Sequence, residues 1–134
     1  MLVDDDSDDQ MLFTEAIKHI DETIECELAS DGKDAIKKLK GTETLPDAIF
    51  LDINMPVMDG RECFKQLKSD GKLKNVRVVM ISTSNNEAEI RSFENRGAAY
   101  LVKPNSFDSL VASLRTYLSS VYAAIMLLTI IHTR

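Results

Sequence analysis

The chain has no tryptophan, three prolines, five glycines, two cysteines and two histidines in 134 residues. So little cysteine excludes a disulfide-built fold, and neither Cys26 nor Cys63 has a CxxC or Cys/His spacing that would hold zinc. Each falls on an apolar face and reads as a reduced core residue, which points to a cytoplasmic protein. His19 and His132 stand apart from any nucleophile or carboxylate motif, so imidazole catalysis has no candidate. Positive charge is short too: the net charge is −6 and the sequence pI is about 4.9. That balance disfavours direct nucleic-acid binding and leaves proteins and cations as partners. No basic segment followed by an apolar stretch opens the chain, so no signal peptide is read. No repeat or low-complexity linker divides it. A single domain of this length buries roughly two-thirds of its unfolded surface and folds without staples.

What the chain does have is three apolar runs that end in charge. Ala48-Ile49-Phe50-Leu51 is continuously apolar, as a central parallel strand covered on both faces should be, and delivers Asp52 to its end. Met55-Pro56 then bars a helix from starting at once, and Asp59-Gly60 turns the chain. Leu2-Val3 runs into Asp4-Asp5-Asp6, and Tyr100-Leu101-Val102 runs into Lys103-Pro104. If these strands are parallel neighbours, their C-terminal ends bring an acidic cluster and one cation to the ligand-binding edge of an open α/β sheet. Carboxylates crowded there repel unless a divalent cation joins them, and all-oxygen ligands suit Mg²⁺.

Between these runs, period-2 and period-3.6 patterns alternate. The first strand covers Met1 to about Asp4. A helix is predicted from about Ser7 to His19, on the spacing of Phe13, Ala16, Ile17 and Ile20 and a Ser7/Gln10 capping box. Asp8 and Asp9 in its first turn suit the helix dipole. Ile24, Cys26 and Leu28 alternate with Glu25 and Glu27 as a half-buried strand. Ala35, Ile36 and Leu39 mark a second helix, and Gly60, Cys63, Phe64 and Leu67 a third. Val76 to Ile81 form a fourth strand that stops at Ser82-Thr83-Ser84. Glu87 to Arg96 form a fourth helix closed by Gly97, and Tyr100 to Val102 a fifth strand. Phe107, Leu110, Val111, Leu114, Leu118 and Val121 place a last amphipathic helix. Five alternating strands and helices predict a flavodoxin-like (βα)5 fold with a doubly wound parallel five-stranded sheet.

With those residues in place, residues 1–120 resemble the receiver domain of two-component response regulators. Val3-Asp4-Asp5, Asp52-Ile53-Asn54-Met55-Pro56-Val57-Met58-Asp59-Gly60 and Lys103-Pro104 carry the resemblance. It implies that Asp52 is the phosphoacceptor, loaded by a sensor histidine kinase or phosphotransfer protein. Asp5 and Asp52 would bind Mg²⁺ directly, Asp4 through water, and Asn54 through its backbone carbonyl. Lys103 and Ser82 would contact the phosphoryl group, Tyr100 would change rotamer with Ser82, and Asn54 and Ser84 would flank the hydrolytic water. The resemblance further implies a cis Lys103–Pro104 bond that aims the lysine into the site. The turn between Gly97 and Tyr100 is one residue shorter than receivers commonly have, which bears on where Tyr100 sits.

The implied function is a phosphorylation-switched module rather than an enzyme, acting on a downstream protein target. The alternative is an Mg²⁺-dependent aspartyl-phosphate phosphohydrolase. Such enzymes commonly carry a second Asp two positions after the nucleophile, where this chain has Asn54, and that favours a longer-lived acyl phosphate. A flavin-binding relative is disfavoured because the acidic loop after the first strand would repel a flavin phosphate. Residues 121–134 form an apolar extension. Its run from Val121 to Ile131 is too short for the roughly 20 residues of a membrane-spanning helix, and too apolar to lie bare. The last helix is expected to run past Ser120 and pair with a second copy. The rivals are a tail folded onto its own domain, one resting on a membrane surface, and one with no role.

Overall fold

The computed structural model describes the backbone of residues 1–133, with side chains as far as Leu127. Strands β1 (Leu2–Val3), β2 (Leu28–Ala29), β3 (Ala48–Asp52), β4 (Arg77–Ser82) and β5 (Ala99–Val102) alternate with five helices. These are α1 (Ser7–Ile20), α2 (Gly32–Lys40), α3 (Gly60–Ser69), α4 (Glu87–Asn95) and α5 (Phe107–Thr133). The strands make one parallel sheet in the order β2-β1-β3-β4-β5. This is the flavodoxin-like arrangement expected from the sequence. The order reverses between β1 and β3, so two strand ends that carry aspartates meet at the switch point.

Strand alternation sorts the core into two layers. Val3, Ile49, Leu51, Ile53, Val78 and Met80 face α2, α3 and α4, where they meet Leu39, Phe64, Leu67 and Phe93. Leu2, Phe50, Val79 and Ile81 face α1 and α5, where they meet Phe13, Ile17, Leu114 and Leu118. Aromatic edges lock both layers: Phe50 meets Phe13 at 5.0 Å and Tyr117 at 5.5 Å between ring centroids, and Phe64 meets Phe93 at 5.6 Å. Cys63 is buried within the first layer, where burial pushes its thiol up to about 12. Cys26 is only half-buried, and both cysteines are free.

Two local expectations are corrected. The second strand is limited to Leu28–Ala29, although Ile24 and Cys26 keep the half-buried alternation. Its partner sets the limit, because β1 offers only Leu2 and Val3 to pair with Leu28 and Ala29. Helix α1 is capped by Asp6 rather than Ser7: its extended backbone lets the carboxylate accept from Asp9 N–H. Gln10, freed from a capping box, donates to Asp4 O at 2.6 Å.

Helix α5 runs past Ser120 without a break, for 27 residues. Val111, Leu114, Leu118 and Val121 are buried and fix its first half to the domain, with α1 alongside. Beyond them Tyr122, Met126 and Leu127 are exposed. The window Phe107–Leu127, mean hydropathy 1.4, is long and apolar enough to cross a membrane, which the sequence reading of an eleven-residue run did not register. Only 17% of that window is buried, in the stripe that packs on the domain. The side chains of 128–131 lie outside the described residues.

Gly60 is the tightest point in the fold. A Cβ there would lie 2.3 Å from Asp52 O and 2.6 Å from Ile53 Cα, both backbone atoms that cannot step aside. Gly60→Ala should therefore destabilise the domain by about 1–3 kcal/mol, the range of forced overpacking. A urea midpoint equal to that of the native chain would contradict this close approach.

Candidate functional site

Five buried residues carry β3 to the sheet edge and leave Asp52 only 4% exposed. The chain then turns under tight backbone control. Ile53 N–H still bonds Ile81 O at 3.0 Å, and Gly60 N–H returns to Ile53 O at 2.8 Å. Asp59 caps α3 by accepting from Glu62 N–H. Within this loop Val57 adopts φ 67°, and Met58 N–H bonds Pro56 O at 2.8 Å, a three-residue turn of the positive-φ kind. That conformation is strained for a β-branched residue, and nothing in the sequence pattern announced it.

Asp52 divides its two oxygens. Oδ1 accepts from Asn54 N–H at 3.1 Å, and Oδ2 faces Lys103 Nζ at 3.2 Å. Beside it at the end of β1, Asp4 is 3% exposed and accepts from Asp6 N–H at 2.9 Å. Asp5 is exposed, yet one oxygen from each of Asp4, Asp5 and Asp52 falls within 4.8 Å of the other two. Burial, with the Asp52 charge nearby, pushes the Asp4 carboxyl up to about 6, against the pull of Asp6 N–H and Lys103.

Lys103 reaches this cluster from β5. Its backbone N–H bonds Ser82 O at 2.7 Å, which ties its position to β4. Its ammonium lies 3.1 Å from Asp9 Oδ2, 3.2 Å from Asp52 Oδ2 and 3.8 Å from Asp4 Oδ2. Burial alone would lower its pKa, but the three carboxylates outweigh it and the net shift is upward. The Lys103–Pro104 bond is trans, since no peptide among the described residues is cis, and this corrects the expectation. Trans is the cheaper isomer by about 0.5–1 kcal/mol, and the long lysine side chain reaches Asp52 without the cis bend.

The remaining expected residues sit around the same edge. Ser82 is buried and accepts from Ser84 N–H at 3.1 Å through its hydroxyl. Tyr100 pairs with Met80 in the ladder, half-buried, and its hydroxyl donates to Ser84 O at 3.0 Å while its ring rests on Phe93. Tyr100 thus lies beside the β4–α4 loop. The side chain of Asn54 is exposed, and Ser84 is half-buried. Asp9 is the residue that sequence reasoning missed. It was read as a partner of the helix dipole, but its place in the first turn of α1, directly after the Asp4–Asp6 loop, also puts it over the same sheet edge.

Comparison with known proteins agrees with this geometry. The family model described as the response regulator receiver domain matches residues 1–115. A probable methanogenesis regulatory protein, FilR2 from Methanothrix harundinacea, is 33% identical over 82% of this chain and 74% of its own length. The phosphorylated cyanobacterial phytochrome response regulator RcpA is similar in structure, with a TM-score of 0.77 and 32% identity, covering 87% of both chains. The Mn²⁺-bound response regulator Rcp1 from Synechocystis gives a TM-score of 0.71 at 30% identity, covering 86% of this chain and 87% of that one. Against two longer relatives the chain spans only 14% and 48% of their length. Fold, acidic edge and family match coincide: the chain belongs to the response regulator receiver domains, the phosphoacceptor modules of two-component signalling.

Proposed function

We propose that Asp52 is the phosphoacceptor, taking its phosphoryl group from a sensor histidine kinase or a phosphotransfer protein in an Mg²⁺-dependent reaction. The observation that carries this reading is the convergence of Asp4, Asp5, Asp52 and the Lys103 ammonium at one strand edge. The donor set fits a hard divalent cation, because three carboxylate oxygens this close repel one another and offer only oxygen. Asp5 and Asp52 would hold it directly, Asp4 through water, and the Asn54 carbonyl would complete the protein's share. When bound, it neutralises charge between two anionic reactants.

The protein's own groups do the rest. Asn54 N–H holds Oδ1 of Asp52, so Oδ2 is the oxygen turned toward Lys103 and the incoming phosphorus. Oδ2 forms the new bond to phosphorus as the donor's bond breaks, and Lys103 offsets charge on the transferring group. Ser82 then donates its hydroxyl to a phosphoryl oxygen, and Tyr100 follows it from its present bond with Ser84 O. This biases the surface formed by α4, β5 and α5 toward a downstream protein target. Asn54 and Ser84 flank the water that ends the signal. Asn54 in place of an acid keeps that hydrolysis slow, so the chain acts as a switch rather than a turnover phosphohydrolase. We place it in the cytoplasm, with residues 1–120 as the receiver and 121–134 as an apolar extension. Through the exposed residues of that extension α5 pairs with a second copy, and no membrane span or direct nucleic-acid contact is involved.

Incubation with acetyl phosphate and Mg²⁺ should add one phosphoryl group to the native chain and none to Asp52→Asn, read by mass spectrometry. An unlabelled native chain, or equal labelling of both, overturns the assignment.

Affinity for Mg²⁺ should follow the Asp4 carboxyl, because a proton and the cation compete for it. With that group near 6, binding should be about ten-fold weaker at pH 5 than at pH 7.5 and level off above pH 7. Equal calorimetric affinities at the two pH values would contradict it.

Met126→Glu with Leu127→Glu changes two exposed side chains and should turn a dimer into a monomer in sedimentation, with phosphorylation intact. A native chain that sediments as a monomer at high concentration excludes the pairing.

A further inference from the structure

We infer that Asp9 is a positioning residue for the phosphoryl-transfer site. It holds the Lys103 ammonium in a resting place shared with Asp52 and so limits how strongly that cation attracts an anionic donor. The inference rests on the phosphoacceptor reading of Asp52 and adds a residue that this reading does not use.

The geometry is specific. Lys103 Nζ is almost midway between Asp9 Oδ2, at 3.1 Å, and Asp52 Oδ2, at 3.2 Å. The Asp52 carboxylate and the Asp9 backbone are each tied from outside the pair. Asp52 is held by β3 and by Asn54 N–H, and Asp9 by α1, where its own N–H bonds the capping carboxylate of Asp6. The lysine backbone is fixed as well, through Ser82 O. The lysine charge therefore divides between a buried carboxylate and an exposed one, with Asp4 Oδ2 farther off at 3.8 Å.

The two anions differ in exposure. The Asp52 side chain is 6% exposed, whereas that of Asp9 is 44% exposed and screened by water. Asp9 is therefore the weaker holder, and Lys103 leaves it once a doubly charged phosphoryl group forms on Asp52. Before that moment Asp9 neutralises part of the charge that a phosphate donor must find. Asp8, in the same helical turn, makes no contact with Lys103 and is the natural control for charge alone.

The test measures the rate of acetyl phosphate labelling in Asp9→Asn, Asp8→Asn, Lys103→Ala and the Asp9→Asn/Lys103→Ala double variant. Asp9→Asn should raise the second-order rate constant about two- to five-fold, the range that an exposed ion pair allows. The gain should lie in donor half-saturation rather than in maximal rate. Asp8→Asn should change the rate by less, and Asp9→Asn should have no effect once Lys103 is alanine. Equal effects of Asp8→Asn and Asp9→Asn, or a full effect of Asp9→Asn without Lys103, overturn the inference while leaving Asp52 as the acceptor. A second arm needs no phosphorylation. The Lys103 ammonium signal, assigned in ¹⁵N NMR by its loss in Lys103→Ala, should shift or broaden in Asp9→Asn and stay in place in Asp8→Asn. If the native chain takes no label, the phosphoacceptor reading fails. An unmoved ammonium signal in Asp9→Asn independently shows that Asp9 does not hold the lysine.

Discussion

Two carboxylates that are almost wholly buried, Asp4 and Asp52, stand side by side at the end of a parallel sheet, and one lysine answers them. Burial of like charges is costly, and the surrounding structure is arranged around that cost. Backbone N–H groups at Asp6 and Asn54 each take one oxygen, and Ser82 O fixes the strand that delivers the ammonium. What remains is a site short of positive charge. This is the condition under which a cation, or a cation with a phosphoryl group, binds with most effect. Burial, with the Asp52 charge beside it, is what raises the Asp4 carboxyl.

The sheet exists to make this juxtaposition possible. β1 is only two residues long, yet it sits between β2 and β3 and so places its aspartates at the point where the strand order reverses. The loop after β3 passes so close to the strand that only a glycine fits at residue 60. The carboxylate of Asp52, the strained turn at Val57 and the start of α3 therefore form one mechanical unit. The ring contacts Phe64 to Phe93 to Tyr100 lead from α3 to the loop that holds Ser84.

Much of this was legible in the sequence because the governing rules are short-range. A continuous apolar run that ends in Asp52, followed by Pro56 and Gly60, fixes a buried strand and a loop. The i, i+3, i+4 spacing of Phe13, Ala16 and Ile17 fixes the face of α1. Charged strand ends then predict the edge where they gather. What could not be read depends on geometry between elements. The brevity of β2 follows from its partner and not from its own alternation. Choosing Asp6 over Ser7 as the cap depends on backbone angles. The trans bond before Pro104 turns on how far Lys103 must reach, and the contact of Asp9 with that lysine spans a sequence separation of 94. No local pattern encodes such a distance.

Helix α5 has a mechanical consequence beyond its surface. Its 27 residues form a rod roughly 40 Å long, of which roughly the first 22 Å, to Val121, carry the buried stripe. A rod clamped over half its length behaves as a lever with its fulcrum near Val121. A tilt of about 10° about that point moves the first turn through roughly 4 Å and the far end through roughly 3 Å. Movement under the first turns of α5 is thus carried to its far end almost undiminished, and the helix acts as a rigid link between the loop after Lys103 and its own end.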